Sequence, residues 1–315
     1  MKRLHPNPDN VINLSIGAAT TAMGLYRMLN HPDLPQNAVV LWEYALNEVN
    51  YCARRQPAPV ILQHTAWLFE LCARRGYPVL PVLLYNQSEA VGVQKSAYRP
   101  LLDALLTRYR LGRVDAQALW KSGFKHLAAD QLYKDEPHYA TTTDFLSALA
   151  TNVLDQLHLA RVPSLKGGVS EFASWTLELV RPTVTATAQP MMFSNRAISC
   201  EMFPLQNDLQ LQAHGRLLAS YMISSAYEPP ISFVSESGTR GPYSTQINPR
   251  AKEPQRQLKH LLLWSPRQEP LNVGKNLQIS IQPRPIVQYT MSWRTPPKDH
   301  AHGGFIGVLM ERPLR

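Results

Sequence analysis

The clearest strand–turn–helix signal in this sequence is Val11-Ile-Asn-Leu-Ser-Ile-Gly-Ala-Ala-Thr-Thr-Ala-Met-Gly-Leu-Tyr-Arg-Met28. It predicts a short buried strand over Val11–Ile16, a sharp turn at Gly17 and a helix that opens near Thr20 and Thr21. A turn of this kind, at the carboxyl end of a parallel strand, is where open α/β sheets bind ligands. The backbone N–H groups at the start of the helix have no partner within it, so they can bind an oxyanion.

The rest of the first half alternates strand and helix patterns. Continuous apolar runs at Ala38–Leu46 and Tyr77–Tyr85 are typical of parallel strands covered on both faces. Apolar residues recur at helical spacing over Pro59–Arg75, Pro100–Tyr109 and Thr141–Leu157. The alternation predicts an α/β fold with a doubly wound parallel sheet. The strand ends at Gly17, Asn47 and Asn86 then define the edge at which a ligand is expected.

The second half has a different pattern, which begins around Val162–Ser170. Helical periodicity stops, and short β-prone segments separated by Pro and Gly turns follow, which predicts a β-sandwich. These segments are Ser174–Val180, Thr183–Ala188, Ile198–Met202, Ile231–Val234, Leu258–Trp264, Leu277–Gln282, Val287–Trp293 and Phe305–Met310. We therefore expect an α/β domain over residues 1–160, a linker over 161–168, and a β-sandwich over 169–315 that could bind carbohydrate.

Composition and charge exclude several classes of protein. With 44% hydrophobic and 17% charged residues, the chain is globular rather than disordered. It has neither a long apolar run typical of a membrane span nor a signal-peptide pattern, and three cysteines without metal spacing fit a cytoplasmic setting. Lys and Arg outnumber Asp and Glu by 15 to 13 in residues 1–160 and by 17 to 10 in residues 161–315. This excess favours an anionic partner for the second half, unless the charges are simply scattered over its surface.

An acid–base pair is predicted at Asp135-Glu-Pro-His138. A histidine is the usual general base for a hydroxyl nucleophile, and a carboxylate three residues away on a loop can orient its ring. The alternative is a surface loop in which Asp135 caps a turn and His138 is solvated.

Two residues could stabilise an oxyanion. The side-chain amide of Asn47, at the end of the predicted strand, is a suitable donor, and the backbone N–H of Gly17 is another. The alternatives are an ordinary turn or cap asparagine and a glycine needed only for its backbone freedom.

The ordered set of these motifs resembles the SGNH (GDSL-like) hydrolase superfamily over about residues 10–158. Asn13-Leu-Ser-Ile-Gly17 is similar to its glycine block, and Trp42-Glu-Tyr-Ala-Leu-Asn47-Glu48 to its asparagine block, with Ala-Leu-Asn-Glu in place of Gly-x-Asn-Asp. Tyr133-Lys-Asp135-Glu-Pro-His138 resembles the final Asp-x-x-His block. The resemblance implies a flavodoxin-like three-layer fold. It also implies an oxyanion hole at Gly17 and Asn47, with His138 as general base and Asp135 as its orienting acid.

The family's first block, a strand that ends in the nucleophilic serine, has no counterpart before Val11. Three explanations stay open. The chain start is placed too late, the protein is a non-catalytic relative, or another hydroxyl serves, with Ser15, Thr20 and Thr21 the nearest candidates. The nucleophile is therefore not assigned.

Two functions follow as hypotheses. The first is a serine esterase, or an acyltransferase, that acts on O-acetyl groups of a glycan such as a surface polysaccharide. The second is an inactive relative that binds or assembles an anionic polysaccharide through its basic second half, where Trp264, Tyr289 and Trp293 would stack on sugars unless they form the core. Nucleic acid is a less favoured partner, because no basic stripe is interleaved with aromatic residues.

The sequence predicts neither a cofactor nor a metal site. His300 and His302 have no acidic or cysteine partners at metal spacing. The paired glycines at 167–168 and 303–304 do not connect a strand to a helix, so no phosphate loop is expected.

Overall fold

The computed structural model describes residues 7–17, 19–31, 34–53, 56–165, 172–195, 198–225, 228–246, 256–264, 270–281 and 303–314. The chain divides into two compact units, Met1–Ala173 and Ser174–Arg315. This division falls shortly after the predicted linker at 161–168. Within that segment, the Arg161 backbone forms an antiparallel bridge with Val79 of the first unit. The domain assignment itself stays a prediction.

The first unit is mixed α/β and contains a parallel sheet. In the described residues its strands are β1 (Val40–Trp42), β2 (Val79–Leu83) and β3 (Val114–Asp115), in that order across the sheet. A separate hairpin consists of β4 (Tyr133–Asp135) and β5 (His138–Tyr139). The helices are α1 (Thr21–Leu29), α2 (Ala45–Ala53), α3 (Ala58–Arg75), α4 (Gln87–Ala90), α5 (Tyr98–Arg108), α6 (Ala116–Gly123), α7 (Ala129–Leu132) and α8 (Phe145–Asp155), with 3-10 turns at Pro8–Asn10 and Gln156–Leu159.

Several elements agree with their sequence patterns. Helix α3 begins after Pro57 and ends at Gly76, whose left-handed φ of 71° a side chain would oppose. All five residues of β2 are buried, as expected for an apolar run in a parallel sheet. Helix α8 buries Phe145, Leu149 and Val153.

The predicted strand over Val11–Ile16 does not form. These residues have no regular secondary structure and are half-buried or exposed. A strand is stabilised by hydrogen bonds to a neighbour, and among the described residues the only strand that pairs with β1 is β2. Val11–Ile16 therefore has no partner strand in this part of the molecule, whereas α1 begins at Thr21, as predicted.

The predicted strand over Ala38–Leu46 is shorter than expected. Strand β1 ends at Trp42, and α2 begins at Ala45. Asn47 consequently lies in the first turn of a helix rather than directly after a strand. The apolar run includes alanine and leucine, which are good helix formers, so an apolar run alone does not separate the strand from the helix that follows.

The second unit is rich in β-structure, as predicted. Its strands are β6 (Trp175–Val180), β7 (Met191–Ser194), β8 (Ser199–Pro204), β9 (Leu209–Gln212), β10 (Gly215–Ser224), β11 (Ile231–Ser235), β12 (Gly238–Tyr243), β13 (Gln257–Leu262), β14 (Asn272–Val273), β15 (Asn276–Ser280) and β16 (Gly304–Pro313). One antiparallel sheet has the order β13-β10-β16-β8-β7, with β14 on β10 and β6 on β16; a second has the order β12-β11-β15-β9. Both sheets contribute side chains to one buried cluster, in which Phe233 and Phe305 have ring centroids 6.4 Å apart. The predicted strand Val287–Trp293 lies outside the described residues.

Candidate active site

Asp135 and His138 are in direct contact across the β4–β5 hairpin. Asp135 is the last residue of β4, and His138 is the first residue of β5. The Nδ1 atom of His138 lies 2.6 Å from Oδ1 of Asp135, and the two side chains are 71% and 50% exposed. The carboxylate therefore fixes one ring nitrogen, while Nε2 of His138 forms no hydrogen bond to any described residue. A general base and its orienting acid need such a contact, and the exposure of both side chains is also that of the solvated surface loop named above as the alternative.

The tip of the hairpin is attached to the amino-terminal end of α4. The Glu136 carbonyl accepts a hydrogen bond from Gln87 N at 2.9 Å, and its carboxylate accepts hydrogen bonds from Ser88 N at 3.2 Å and from the Ser88 hydroxyl. Since α4 follows β2, these bonds hold the Asp135–His138 pair at the carboxyl edge of the parallel sheet. A carboxylate at a helix amino terminus is also favoured by the free N–H groups there.

Two tyrosines attach the base of the hairpin to the same edge. The Tyr139 hydroxyl accepts a hydrogen bond from Tyr85 N at 3.2 Å, and the Tyr133 hydroxyl donates to the Tyr85 carbonyl at 3.0 Å. The Tyr133 and Tyr139 rings lie 4.6 Å apart, and Tyr139 stacks on Phe145 of α8. Several independent contacts thus fix the position of His138 relative to the sheet.

One of the predicted oxyanion donors, Asn47, contacts the segment that follows the other, Gly17. Asn47 is half-buried on α2, and its Nδ2 donates a hydrogen bond to the Ala19 carbonyl at 3.0 Å. Gly17, two residues before Ala19, lies in an exposed turn. An amide nitrogen carries two hydrogens, so Asn47 retains one donor beyond its bond to Ala19. Among the described residues no hydrogen bond joins Asn47 or Gly17 to the Asp135–His138 pair.

A pair of asparagines connects the helix of Asn47 to the edge that holds the hairpin. Asn50 of α2 accepts a hydrogen bond from Asn86 Nδ2 at 2.9 Å. Asn86 is fully buried and caps α4. Helix α2, which carries Asn47, and the hairpin are therefore both attached to the segment that follows β2.

Two acids at this edge have roles that the sequence pattern did not reveal. Glu48 is fully buried and accepts hydrogen bonds from Thr21 N at 2.7 Å and from the Tyr98 hydroxyl, so its carboxylate caps α1. Burial raises the pKa of Glu48 to about 7. Glu43 follows β1, and burial, with a smaller contribution from the charge of Glu48, raises its pKa to about 8 against the opposing effect of Arg99. Both acids lie in the asparagine block quoted above. An acidic residue inside an apolar run is the one feature of the sequence that could have indicated their burial.

Arg99 supplies the cationic charge of this region. Its guanidinium binds both oxygens of the largely buried Glu89 at 2.9 Å and lies 4.2 Å from the centre of the Tyr85 ring. A bidentate pair of this kind is held in one geometry and keeps its charge. The edge thus combines a fixed cation with two acids that take up a proton more readily than usual.

The three candidate hydroxyls, those of the described residues Ser15, Thr20 and Thr21, form no hydrogen bond to His138. Thr21 is buried, and its Oγ1 accepts hydrogen bonds from Trp42 Nε1 at 2.9 Å and from the Thr65 hydroxyl at 3.3 Å. Thr20 is buried at the N-cap position of α1 without a side-chain capping bond. The Ser15 hydroxyl is exposed and donates to Asn13. The nucleophile therefore stays unassigned.

The described residues contain neither a metal-binding cluster nor a helix that could span a membrane. Within the part of the chain that the structure describes, no cluster of three His, Cys, Asp or Glu side chains could hold a metal ion. His300, His302, Gly167, Gly168, Tyr289 and Trp293 lie outside that part. No described helix combines the length and the apolar character that crossing a membrane requires.

The fold of this chain is similar to that of a known protein. No protein-family model matches the chain, and no curated protein matches it. Among solved structures, it is similar to a two-domain esterase (CEX) active on acetylated mannans, with a TM-score of 0.56 and 11% sequence identity. The alignment covers 96% of this chain and 80% of the other. At this identity the likeness shows the fold, which is a mixed α/β unit followed by a β-rich unit.

Proposed function

We propose that this protein is an SGNH-type esterase or acyltransferase that acts on O-acetyl groups of a glycan. The observation that carries the proposal is the 2.6 Å contact between His138 and Asp135 at the carboxyl edge of a parallel sheet. The fold shared with an esterase active on acetylated mannans supports the choice of substrate class. Asn47 and Gly17, both near Ala19, are the proposed oxyanion donors.

The proposed reaction uses His138 twice. Its Nε2 takes the proton of the attacking hydroxyl, whose oxygen forms a bond to the acetyl carbonyl carbon. The carbonyl oxygen becomes an oxyanion that accepts hydrogen bonds from Gly17 N–H and Asn47 Nδ2, which lowers the barrier. The ester bond then breaks, and His138 returns the proton to the departing sugar oxygen. Water, or an acceptor hydroxyl, releases the acetyl group from the enzyme by the same steps.

Asp135 and the hairpin contacts position the base in this scheme. The carboxylate keeps Nδ1 protonated, so Nε2 is the basic atom, and it stabilises the imidazolium that forms during proton transfer. The attacking hydroxyl is of the serine type, and the described residues Ser15, Thr20 and Thr21 do not hydrogen-bond to His138. The proposed reaction therefore assigns the general base, its orienting acid and the oxyanion donors, and leaves the nucleophile unassigned.

The test is acetate release from acetylated mannan and from p-nitrophenyl acetate. We expect the His138→Ala variant to lose about 10²–10⁴-fold in kcat, because the general base is removed. His158→Ala is the matched control, since His158 is also an exposed histidine of the first unit and has no role in the proposed reaction. It should keep the wild-type rate.

Two results would overturn the proposal. One is equal activity of the wild-type and His138→Ala proteins. The other is a wild-type protein without esterase or acyl-transfer activity that still retains a glycan, which would favour the inactive, polysaccharide-binding alternative.

A further inference from the structure

A pocket of about 410 Å³ lies on the first unit between the end of α4 and helix α6. It is lined by residues 90–92, Gln117, Trp120, Lys121 and Lys125. The opposite end of α4 binds Glu136 at the tip of the hairpin that carries His138. A four-residue helix is about 6 Å long, so the pocket and the hairpin are attached to the two ends of one short element.

Side-chain hydrogen bonds fix the walls of the pocket. Gln117 Nε2 donates to the Ala90 carbonyl at 2.6 Å, which ties α6 to the end of α4. Trp120 Nε1 donates to the Leu127 carbonyl at 3.0 Å. The polar edge of the indole is thereby occupied, and what the half-buried ring offers to the pocket is its carbon surface. Asp115 caps α6 by accepting from Ala118 N at 2.9 Å, so the helix begins at a fixed point.

The lining has a defined chemistry. The ring of Trp120 and the side chains of Ala90 and Val91 provide apolar surface, and Val91 is 47% exposed. Lys121 of α6 and Lys125, which follows the end of that helix, add two exposed ammonium groups. None of the described lining residues carries a carboxylate. A ligand that matches this surface has one apolar face and at least one negative charge.

We propose that this pocket binds an acidic sugar unit, a hexuronate, of the glycan on which the protein acts. The C–H face of the pyranose ring packs on Trp120, and the sugar carboxylate is bound by Lys121 and Lys125. The identity of the ligand as a sugar rests on the proposed function. The pocket would hold the glycan chain beside the hairpin, so that a neighbouring acetylated unit reaches His138.

The test measures binding to the full wild-type chain, because the probes carry no acetyl group that the proposed activity could remove. The probe is a galacturonate trisaccharide, compared with a neutral mannose trisaccharide, by calorimetry and by the indole N–H signal of Trp120 in NMR spectra. We expect tighter binding of the acidic probe, a shift of the Trp120 signal, and an affinity that falls as salt is added. Sulfate at equal concentration must not displace the acidic probe.

Matched variants separate the contributions. Trp120→Ala should weaken binding of the acidic probe by about 10-fold or more, and Trp120→Phe should largely restore it, because an aromatic face remains. Lys121→Gln with Lys125→Gln should abolish the preference for the acidic probe. Lys134→Gln with Lys275→Gln changes the net charge equally at exposed sites and should leave the preference intact.

Several outcomes would overturn the proposal. These are equal affinity for the acidic and neutral probes, unchanged binding after Trp120→Ala, and displacement by sulfate, which would indicate a site for simple anions. The esterase proposal is judged separately by acetate release. A protein that releases acetate but fails to bind the uronate probe contradicts this inference alone, and one that binds the probe without releasing acetate contradicts the esterase proposal alone.

Discussion

Glu48 joins three segments of the first unit through one carboxylate. It lies on α2, and its partners, Thr21 at the start of α1 and Tyr98 at the start of α5, are 27 and 50 residues away in the sequence. Burial in such surroundings penalises the charged form, although both hydrogen bonds favour it. The net result is an acid that changes its charge near neutral pH.

This acid should make the stability of the first unit depend on pH. The pKa of Glu48 in the folded protein, about 7, lies above its ordinary value of 4.5, so its protonated form favours folding. Its contribution is therefore full below pH 4.5 and is lost as the pH rises to about 7, at up to about 1.4 kcal/mol per pH unit. The wild type should therefore lose about 2–3 kcal/mol in free energy of unfolding from pH 5 to pH 8 through this group, and Glu48→Gln should not show this loss. Urea unfolding at the two pH values measures this difference, and parallel wild-type and variant profiles would contradict it.

Contacts that are local in sequence could be predicted, and distant ones could not. The Asp135–His138 contact follows from a three-residue spacing, so the sequence pattern suggests it directly. The bond from Asn47 to the Ala19 carbonyl depends on where α2 lies relative to α1, and no local pattern encodes that position. The roles of Glu43 and Glu48 were missed for the same reason, because burial by distant segments alters their pKa values.

The β4–β5 hairpin shows at the level of elements how a local motif is placed in the molecule. Its sequence predicts a loop, yet its position is determined by Tyr85 after β2 and by the amino terminus of α4. The hairpin is thus held by neighbouring elements rather than by its own short strands, which pair over few residues.

Loss of the contact at the hairpin tip should loosen the element. Glu136→Ala removes the bonds from Ser88 N and the Ser88 hydroxyl to the carboxylate, which at this partly exposed site should cost about 1 kcal/mol. We expect faster amide hydrogen exchange over residues 133–139 and a several-fold lower kcat on p-nitrophenyl acetate, with little change in unfolding elsewhere. Asp130→Ala, an exposed acid on α7, is the control and should leave both unchanged. Unaltered exchange in Glu136→Ala would show that the two tyrosines and the backbone bond from Gln87 N to the residue 136 carbonyl are sufficient to position the hairpin.

Elements with an internal pattern were predictable, and those that need a neighbour were not. Helix α3 has its own apolar stripe and a terminal glycine, and β2 is a continuous apolar run between turn residues. A strand over Val11–Ile16 depends on a partner strand, which the apolar pattern of the segment cannot supply. The sequence equally could not separate β1 from α2, because both belong to one apolar run.

At the scale of the whole molecule, the positive charge of the second half is less available than its count suggests. Arg216 is paired at 2.6 Å with the buried Glu311, and Arg312 at 3.3 Å with Glu178. Lys259 donates to the Ser244 and Gln246 carbonyls, and burial lowers its pKa to about 7. Formal charge is a weak guide to polyanion binding here, since it counts residues whose charge is paired or buried.

Strand β1 also affects the concentration at which this protein begins to self-associate. Val39, which precedes the strand, and Leu41 within it are 39% and 36% exposed, and among the described residues only β2 pairs with β1. An apolar sheet edge of this kind can pair with the same edge of another molecule, which leads to aggregation. Leu41→Lys should raise the concentration at which light scattering first detects assemblies. Leu101→Lys, on helix α5 with 45% exposure, should not, because a helix surface offers no unpaired backbone. An equal increase in both variants would indicate that general surface hydrophobicity causes the assembly. An increase in Leu41→Lys alone would show that the exposed edge at β1 limits the solubility of the protein.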